Sequence, residues 1–168
     1  IIFTDAETDP FEGNLDDAIL IEESQAVIDD VIGTENYDIG HTFGGGNSGL
    51  ASTGPCQEGY KASGVSGGTE GDAFAVDYVA HEIGHQFSMD HTFNSNSDSC
   101  LKNRAGEAAF EPGAGTTIMA YSGLCSPDNI AQQHLQGNNS DPMFHSYSFE
   151  QAADYVADAG AACGVVTD

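Results

Sequence analysis

The sequence predicts a single domain, residues 1–168, with a mixed α/β (α+β) fold. In the first half, short β-prone runs alternate with two segments whose apolar residues have helical spacing. The second half is polar and rich in turn residues until a last helical segment near its end. A chain of 168 residues can bury a substantial core, and we expect no second domain.

An amphipathic helix is predicted over residues 15–32. Apolar residues recur there with the spacing of one helical face, namely Leu15, Ile19, Ala26, Val27 and Val31. Gly33 follows the last of them and is a typical helix terminator. A β-prone run at residues 1–4 and a polar loop at residues 5–14 precede the helix, so the chain is expected to begin as strand, loop and helix.

Three more strands and a second helix are predicted in the first half. Residues 37–43 form a β-prone run, after which the glycines at 44–46 allow a tight change of direction. Residues 49–53 and 61–65 are short strand candidates on either side of a loop. A helix is expected over residues 72–87, because an aspartate caps its first turn and small or apolar residues give it a packing face.

The second half is expected to be mostly irregular. Residues 94–115 are polar and turn-rich, and Leu101 and residues 108–110 are the expected core anchors. A last helix is predicted over residues 149–157, with Ser148 as its N-cap.

The charge balance excludes two classes of partner. The chain has 27 acidic and 3 basic residues, and a formal charge of −24. Such a surface repels phosphate backbones and anionic lipids, so neither nucleic acid nor a membrane is an expected partner. The acidic residues fit a hydrated surface suited to salty water, calcium binding by a cluster near the start of the chain, or both. The cluster comprises Asp5, Glu7, Asp9, Glu12, Asp16 and Asp17.

Four cysteines, at positions 56, 100, 125 and 163, indicate the compartment. None of them forms the C-x-x-C pair of a thiolate zinc site or a redox motif. An even count without that spacing predicts two disulfides, and hence a secreted protein in an oxidising, extracellular setting. The alternative is four buried free thiols in a cytosolic protein.

The strongest chemical signal is the run His-Glu-Ile-Gly-His at residues 81–85. On a helix, His81 and His85 point from the same face one turn apart, so both can bind one ion. Glu82 can reach a metal-bound water without being a ligand. His91 can reach the same ion if the helix ends and the chain turns back.

Three neutral nitrogen ligands suit zinc and leave a fourth position for water, as in a catalytic site. Zinc lowers the pKa of such a water to about 7, and Glu82 would take its proton and pass it to the leaving amine of a peptide bond. The alternative is a satisfied surface pair of histidines, which the third histidine at this offset disfavours. We interpret His41, His134 and His145 as surface residues or as supports outside the ligand set.

The pattern resembles that of the metzincin zinc metalloproteases. Residues 81–91 match H-E-x-x-H-x-x-G-x-x-H, except that Ser88 replaces the glycine. Residues 117–121, Thr-Ile-Met-Ala-Tyr, are similar to the Met-turn, which implies that Met119 forms the floor under the histidines. The alternative is a gap-filling core methionine. The order of elements and the cysteine positions are most similar to the reprolysin (adamalysin-like) branch and its bacterial secreted relatives.

The resemblance implies the zincin fold of the metzincins. In this fold a twisted, mostly parallel sheet with an antiparallel edge strand, here residues 49–53, lies beside the active-site helix. An upper part of about residues 1–87 is followed by a lower part of about residues 88–168, mostly irregular and ending in a helix. A substrate would pair with the edge strand, placing Leu50 and Ala51 next to the scissile bond.

The resemblance also implies two disulfides, Cys56 with Cys163 and Cys100 with Cys125. In the family a strand and a helix precede the strand expected at residues 1–4. We therefore expect upstream residues, as a retained N-terminal fragment or an inhibitory propeptide. The protein is expected to be a monomer that acts on protein or peptide substrates.

Three positions depart from the reprolysin pattern. Ser88 would carry modest strain if its φ is positive. Thr92 stands after the third histidine, where reprolysins usually have Asp. Tyr121 lies two residues after the methionine, as in astacins, serralysins and pappalysins, where reprolysins tend to have Pro. By that similarity the Tyr121 hydroxyl would stabilise the oxyanion of the reaction, and the alternative is a packing role.

Two other functions would use such a set of histidines. A catalytically silent zinc-containing binding domain would be expected to lack Glu82 or a ligand, and neither is lost. A structural metal site usually closes all four positions, often with Cys. The sequence therefore predicts a secreted zinc metalloendopeptidase, a hydrolase.

Overall fold

A computed structural model describes residues 2–3, 5, 7–68, 71, 73–130 and 140–162. In these ranges the α-helices are α1 (Asp17–Ile32), α2 (His81–Gln86) and α3 (Ser146–Ala157). The strands are β1 (Thr42–Gly44), β2 (Gly49–Ala51) and β3 (Gly64–Gly67). A π-helical segment, Ala73–Ala80, leads directly into α2. Short 3-10 helices lie at Thr34–Asn36, Asp98–Cys100 and Ala159–Ala162.

The sheet is mixed, with β3 in the middle and entirely buried. β1 pairs with β3 in parallel, and β2 pairs with β3 antiparallel at one edge. Leu50 of β2 lies opposite Val65 of β3. The predicted α/β fold and the antiparallel edge strand at residues 49–53 are therefore confirmed, although β2 is shorter than predicted.

α2 is fixed to the sheet through the side chain of Gln86, which is fully buried. Its amide NH₂ donates to the Gly40 carbonyl at 2.9 Å, and its amide oxygen accepts from His41 Nδ1 at 3.0 Å. A β-carbon at Gly64 would come within 2.5 Å of the Gln86 amide carbon, so only glycine allows this approach. His41 Nε2 lies 2.9 Å from the Ser66 hydroxyl of β3, so His41 joins the helix to the sheet.

α1 covers the sheet and begins two residues later than predicted. Asp16 caps it by accepting from two backbone N–H groups of the first turn, so Leu15 stays outside and is 79% exposed. Leu20 and Ile28 are buried, and the helix ends at Gly33 as predicted, with φ 86°.

Two predicted strands are wrong in their bounds, because local polar contacts hold their first residues elsewhere. β1 begins near the end of the predicted strand 37–43, since the Tyr37 hydroxyl donates to Asp29 at 2.6 Å. Lys61 Nζ donates to the Tyr37 carbonyl at 3.1 Å, and β3 begins later than the predicted strand 61–65.

The described residues between α2 and α3 are mostly irregular, as predicted, but their core anchors differ. Phe93, Ala114 and the disulfide-bonded Cys100 and Cys125 form a buried cluster. The Cα atoms of the two cysteines are 5.4 Å apart. The expected anchors Leu101 and Phe110 are exposed, and only Ala108 is buried. Cys100 faces inward and its neighbour Leu101 faces out. Phe110 stacks on His145 and meets Tyr147 edge to face at the surface.

α3 begins at Ser146, earlier than predicted. The cap is His145, whose Nδ1 accepts from the Tyr147 N–H at 3.1 Å. The expected cap, Ser148, lies inside the helix and is buried. Within the described residues, no helix combines the length and the apolar character needed to cross a bilayer.

Some predictions fall on residues outside the described ranges. These include the ends of the strand at 1–4, the capping Asp72, His134, and Cys163 with its pairing to Cys56.

Candidate active site

Three imidazoles converge beside the edge strand. His81 and His85 project from α2, and His91 follows the turn after it. The Nε2 atoms lie 3.1 Å apart for His81 and His85, 3.0 Å for His85 and His91, and 3.2 Å for His81 and His91. Across the described part of the chain, this is the only group of three or more His, Cys, Asp or Glu side chains placed to hold a metal ion.

The turn that returns the chain to the site depends on Ser88. α2 ends at Gln86 with Phe87 as its C-cap, and Ser88 adopts φ 67°, in the left-handed region. The Ser88 N–H donates to the His85 carbonyl at 2.9 Å, and the Met89 N–H donates to the Gly84 carbonyl at 3.0 Å. The positive φ considered from the sequence is therefore present, and a serine carries it where the family has glycine.

Each imidazole is oriented by a backbone carbonyl. His81 Nδ1 donates to the Ile118 carbonyl at 2.6 Å, and His85 Nδ1 donates to the Met89 carbonyl at 2.8 Å. His91 Nδ1 donates to the Asn103 carbonyl at 2.7 Å. A carbonyl only accepts, so each Nδ1 carries the hydrogen and each Nε2 presents a lone pair. The short Nε2 separations are therefore not hydrogen bonds between the rings.

The donor set fits zinc. Tetrahedral zinc with Zn–N bonds of about 2.0–2.1 Å places its nitrogen ligands about 3.3 Å apart, close to the separations seen here. Three lone pairs facing one another repel unless a cation lies between them. Burial is the largest cause that lowers the pKa of each histidine, and that of His91 falls to about 4. The three imidazoles are thus neutral at physiological pH, the form that binds a metal ion.

Glu82 is buried next to this triad but is not part of it. Its side chain lies against Gly49 of the edge strand. Burial, and secondarily the charge of Asp17, raises the pKa of Glu82 to about 8. A cation at the three nitrogens would favour the carboxylate form.

Met119 lies under the active-site helix. It is fully buried and packs with Met89, Ile118 and Phe144. A β-carbon at Gly84, between the two helical histidines, would clash with Met119 Sδ. The sulfur therefore approaches the helix where a side chain is absent, at the residue before His85.

Tyr121 packs against the histidines. Its ring centroid is 4.6 Å from that of His91, 5.8 Å from that of His81 and 4.7 Å from that of Phe93. Burial, and then the charge of Glu82, raises the pKa of Tyr121 to about 12, so the phenol keeps its proton. Tyr121 thus remains a hydrogen-bond donor.

His81, Glu82 and Tyr121 line one cleft of about 540 Å³. Its walls come from the edge strand, the helix and the turn after Met119, and include Ser48, Gly49, Asp77, His81, Glu82 and Tyr121. The six acidic side chains considered as calcium ligands lie within the described ranges, and no three of them come close enough together to hold one ion. Asp5 and Asp9 each accept from a nearby backbone N–H, Asp16 caps α1, and Asp17 accepts from the Ser48 hydroxyl.

Sequence reasoning missed the carbonyls of Ile118, Met89 and Asn103. Every residue has a carbonyl, so no sequence signal identifies these three. It also missed the contact between Gly49 and Glu82, for which the glycine itself was the available signal.

An antiparallel edge strand beside a helix that carries two of three converging imidazoles, with a buried glutamate between strand and helix, is the arrangement of a metallopeptidase. A family model described as metallo-peptidase family M12B, reprolysin-like, matches residues 1–147. The chain therefore belongs to the reprolysin-like metallopeptidases, and the resemblance seen in the sequence is confirmed. Neither the curated proteins nor the solved structures gave a significant match.

Proposed function

We propose that the chain is the catalytic domain of a secreted zinc-dependent endopeptidase that acts on protein or peptide substrates. The observation that carries the proposal is the convergence of three Nε2 lone pairs within 3.0–3.2 Å. His81, His85 and His91 would hold the zinc, and their Nδ1–H bonds to carbonyls keep the rings aimed at it. Zinc, when bound, supplies an electrophile that polarises a peptide carbonyl and acidifies a water molecule.

Glu82 is the proposed general base. It lines the cleft next to the first ligand, and a carboxylate there can take the proton of the attacking water and deliver it to the leaving amine. Tyr121 is proposed to donate its hydroxyl hydrogen bond to the oxyanion that develops on the substrate carbonyl.

The edge strand is the proposed site of substrate pairing. The Ser48 carbonyl accepts from the Gly67 N–H, and the Ser52 N–H donates to the Ser63 carbonyl. Backbone groups alternate in direction along a strand, so those of Gly49 and Ala51 face away from β3. An extended peptide pairing with them would lie beside Glu82.

Secretion is supported by the Cys100–Cys125 disulfide. We also propose the Cys56–Cys163 bond, which non-reducing peptide mapping tests directly. A peptide that joins Cys56 to any other cysteine would refute it.

A casein digestion assay tests the proposed function. Cleavage is expected to stop with a zinc chelator and to return when zinc is added back. If the chelator leaves the cleavage rate unchanged, the proposed function is refuted. Zinc binding without cleavage of casein or a peptide library would instead indicate the silent zinc-containing binding domain.

A further inference from the structure

We propose that Glu111 is a positioning residue for the zinc site, a role that rests on the zinc binding proposed above. Glu111 lies in the lower half, 19 positions after Thr92, and its side chain is only 8% exposed. Its backbone pairs with the segment that follows His91, since the Glu111 N–H donates to the Thr92 carbonyl at 2.9 Å.

The Glu111 carboxylate accepts four hydrogen bonds from two chain segments. Oε1 accepts from the backbone N–H of Thr116 at 2.8 Å and from that of Thr117 at 3.1 Å. Oε2 accepts from Thr117 Oγ1 at 2.6 Å and also from Thr92 Oγ1. These bonds satisfy both oxygens in a buried place, where an unpaired carboxylate would be costly.

Both segments hold zinc ligands in place. Thr92 directly follows His91, and its N–H donates to the Met119 carbonyl at 3.0 Å. Thr117 directly precedes Ile118, whose carbonyl accepts from His81 Nδ1 at 2.6 Å. One carboxylate therefore joins the segment that carries the third histidine to the segment that orients the first.

This arrangement accounts for a departure seen in the sequence. Reprolysins usually have Asp directly after the third histidine, and this chain has Thr92 there. The Thr92 hydroxyl instead donates to a carboxylate supplied from far along the chain.

Three substitutions separate this role from general stabilisation. Glu111→Ala leaves the N–H groups of Thr116 and Thr117 without this acceptor. Glu111→Gln keeps an amide oxygen for them, and its NH₂ can donate to the two threonine hydroxyls, which can accept. Glu107→Ala is the matched control, because it removes an exposed carboxylate from the same loop.

The experiment measures zinc affinity by competition with a chromophoric chelator, and the visible spectrum of the cobalt-substituted protein. Glu111→Ala is expected to bind zinc about 10- to 100-fold more weakly and to alter the cobalt spectrum, as for other losses of support behind a metal ligand. Glu111→Gln and Glu107→Ala should stay close to the parent protein in both. If Glu111 only stabilised the fold, Glu111→Ala would lower the unfolding midpoint and leave the zinc affinity and the cobalt spectrum unchanged.

Folded Glu111→Ala with the parent affinity and cobalt spectrum would overturn the proposal. If Glu111→Ala does not fold, the same two measurements are made on Thr92→Val. This variant removes the hydroxyl that donates to Glu111 and nearly keeps the side-chain shape. Unchanged zinc affinity and cobalt spectrum in folded Thr92→Val would then overturn it. Failure of the parent protein to bind zinc would refute the proposed function instead.

Discussion

The side chain of Glu82 lies directly against the α-carbon of Gly49. A β-carbon at Gly49 would come within 2.5 Å of both Cγ and Oε1 of Glu82. Gly49 belongs to β2 and Glu82 to α2, so the proposed substrate strand and the proposed base are in contact. Any side chain at position 49 must displace the glutamate or the strand.

Gly49→Ala is therefore expected to reduce kcat/KM by about 100-fold, the typical cost of a small misplacement of a reacting group. Zinc content should not change, because Glu82 is not a ligand. Gly46→Ala is the control, since the nearest atom to its added β-carbon would be 3.6 Å away. If Gly49→Ala and Gly46→Ala have equal kcat/KM, the contact between Gly49 and Glu82 is unimportant for activity.

Ser88→Gly is expected to raise the free energy of unfolding by up to about 1 kcal/mol, because glycine adopts φ 67° without the strain of a β-carbon. Urea unfolding of the zinc-loaded protein measures the change. Ala153→Gly, in the exposed part of α3, should instead destabilise by about 1 kcal/mol. A loss of stability in Ser88→Gly would show that the serine side chain contributes more than its backbone costs.

Tyr121→Phe is expected to keep zinc and to lower kcat by about 10²–10³-fold, because it removes only the hydroxyl proposed to stabilise the oxyanion. Steady-state kinetics together with zinc analysis measures both effects. Tyr78→Phe is the matched control, because it removes a second tyrosine hydroxyl from the same cleft. Near wild-type kcat in Tyr121→Phe would make Tyr121 a packing residue.

The metal-free protein should lose stability through His91 as the pH falls from 6.5 to about 4. Burial lowers the pKa of His91 from 6.5 to about 4, so between these values the unfolded chain binds a proton that the folded chain does not. Urea unfolding in the presence of a chelator measures the free energy of unfolding at each pH. As the pH falls, this free energy should decrease less steeply for His91→Asn than for the parent, and the two slopes should differ by up to about 1.4 kcal/mol per pH unit. Identical pH slopes would contradict this assignment.

The sequence predicts all three histidines. It also predicts the shared helical face of His81 and His85, because their spacing and helix geometry together fix where they point. It also predicts the α/β class and the antiparallel edge strand. These features depend on periodicity and on a long, distinctive motif.

The strand bounds and the supports of the site could not be predicted. The strands are three or four residues long, and contacts such as that of Lys61 with the Tyr37 carbonyl decide where they begin. The partners of the histidines are backbone carbonyls, which have no sequence signature. Glu111 reaches the site only because the lower half folds back, and no local pattern encodes that contact.

Parallel zinc analysis and peptide cleavage by the parent protein and Glu82→Gln test the central claim most directly. The account predicts one zinc per chain in both, since Glu82 is not a ligand, and a cleavage rate about 10²–10⁴-fold lower in the variant, the usual contribution of a general base. A zinc-loaded Glu82→Gln protein that cleaves peptides at the parent rate would contradict it.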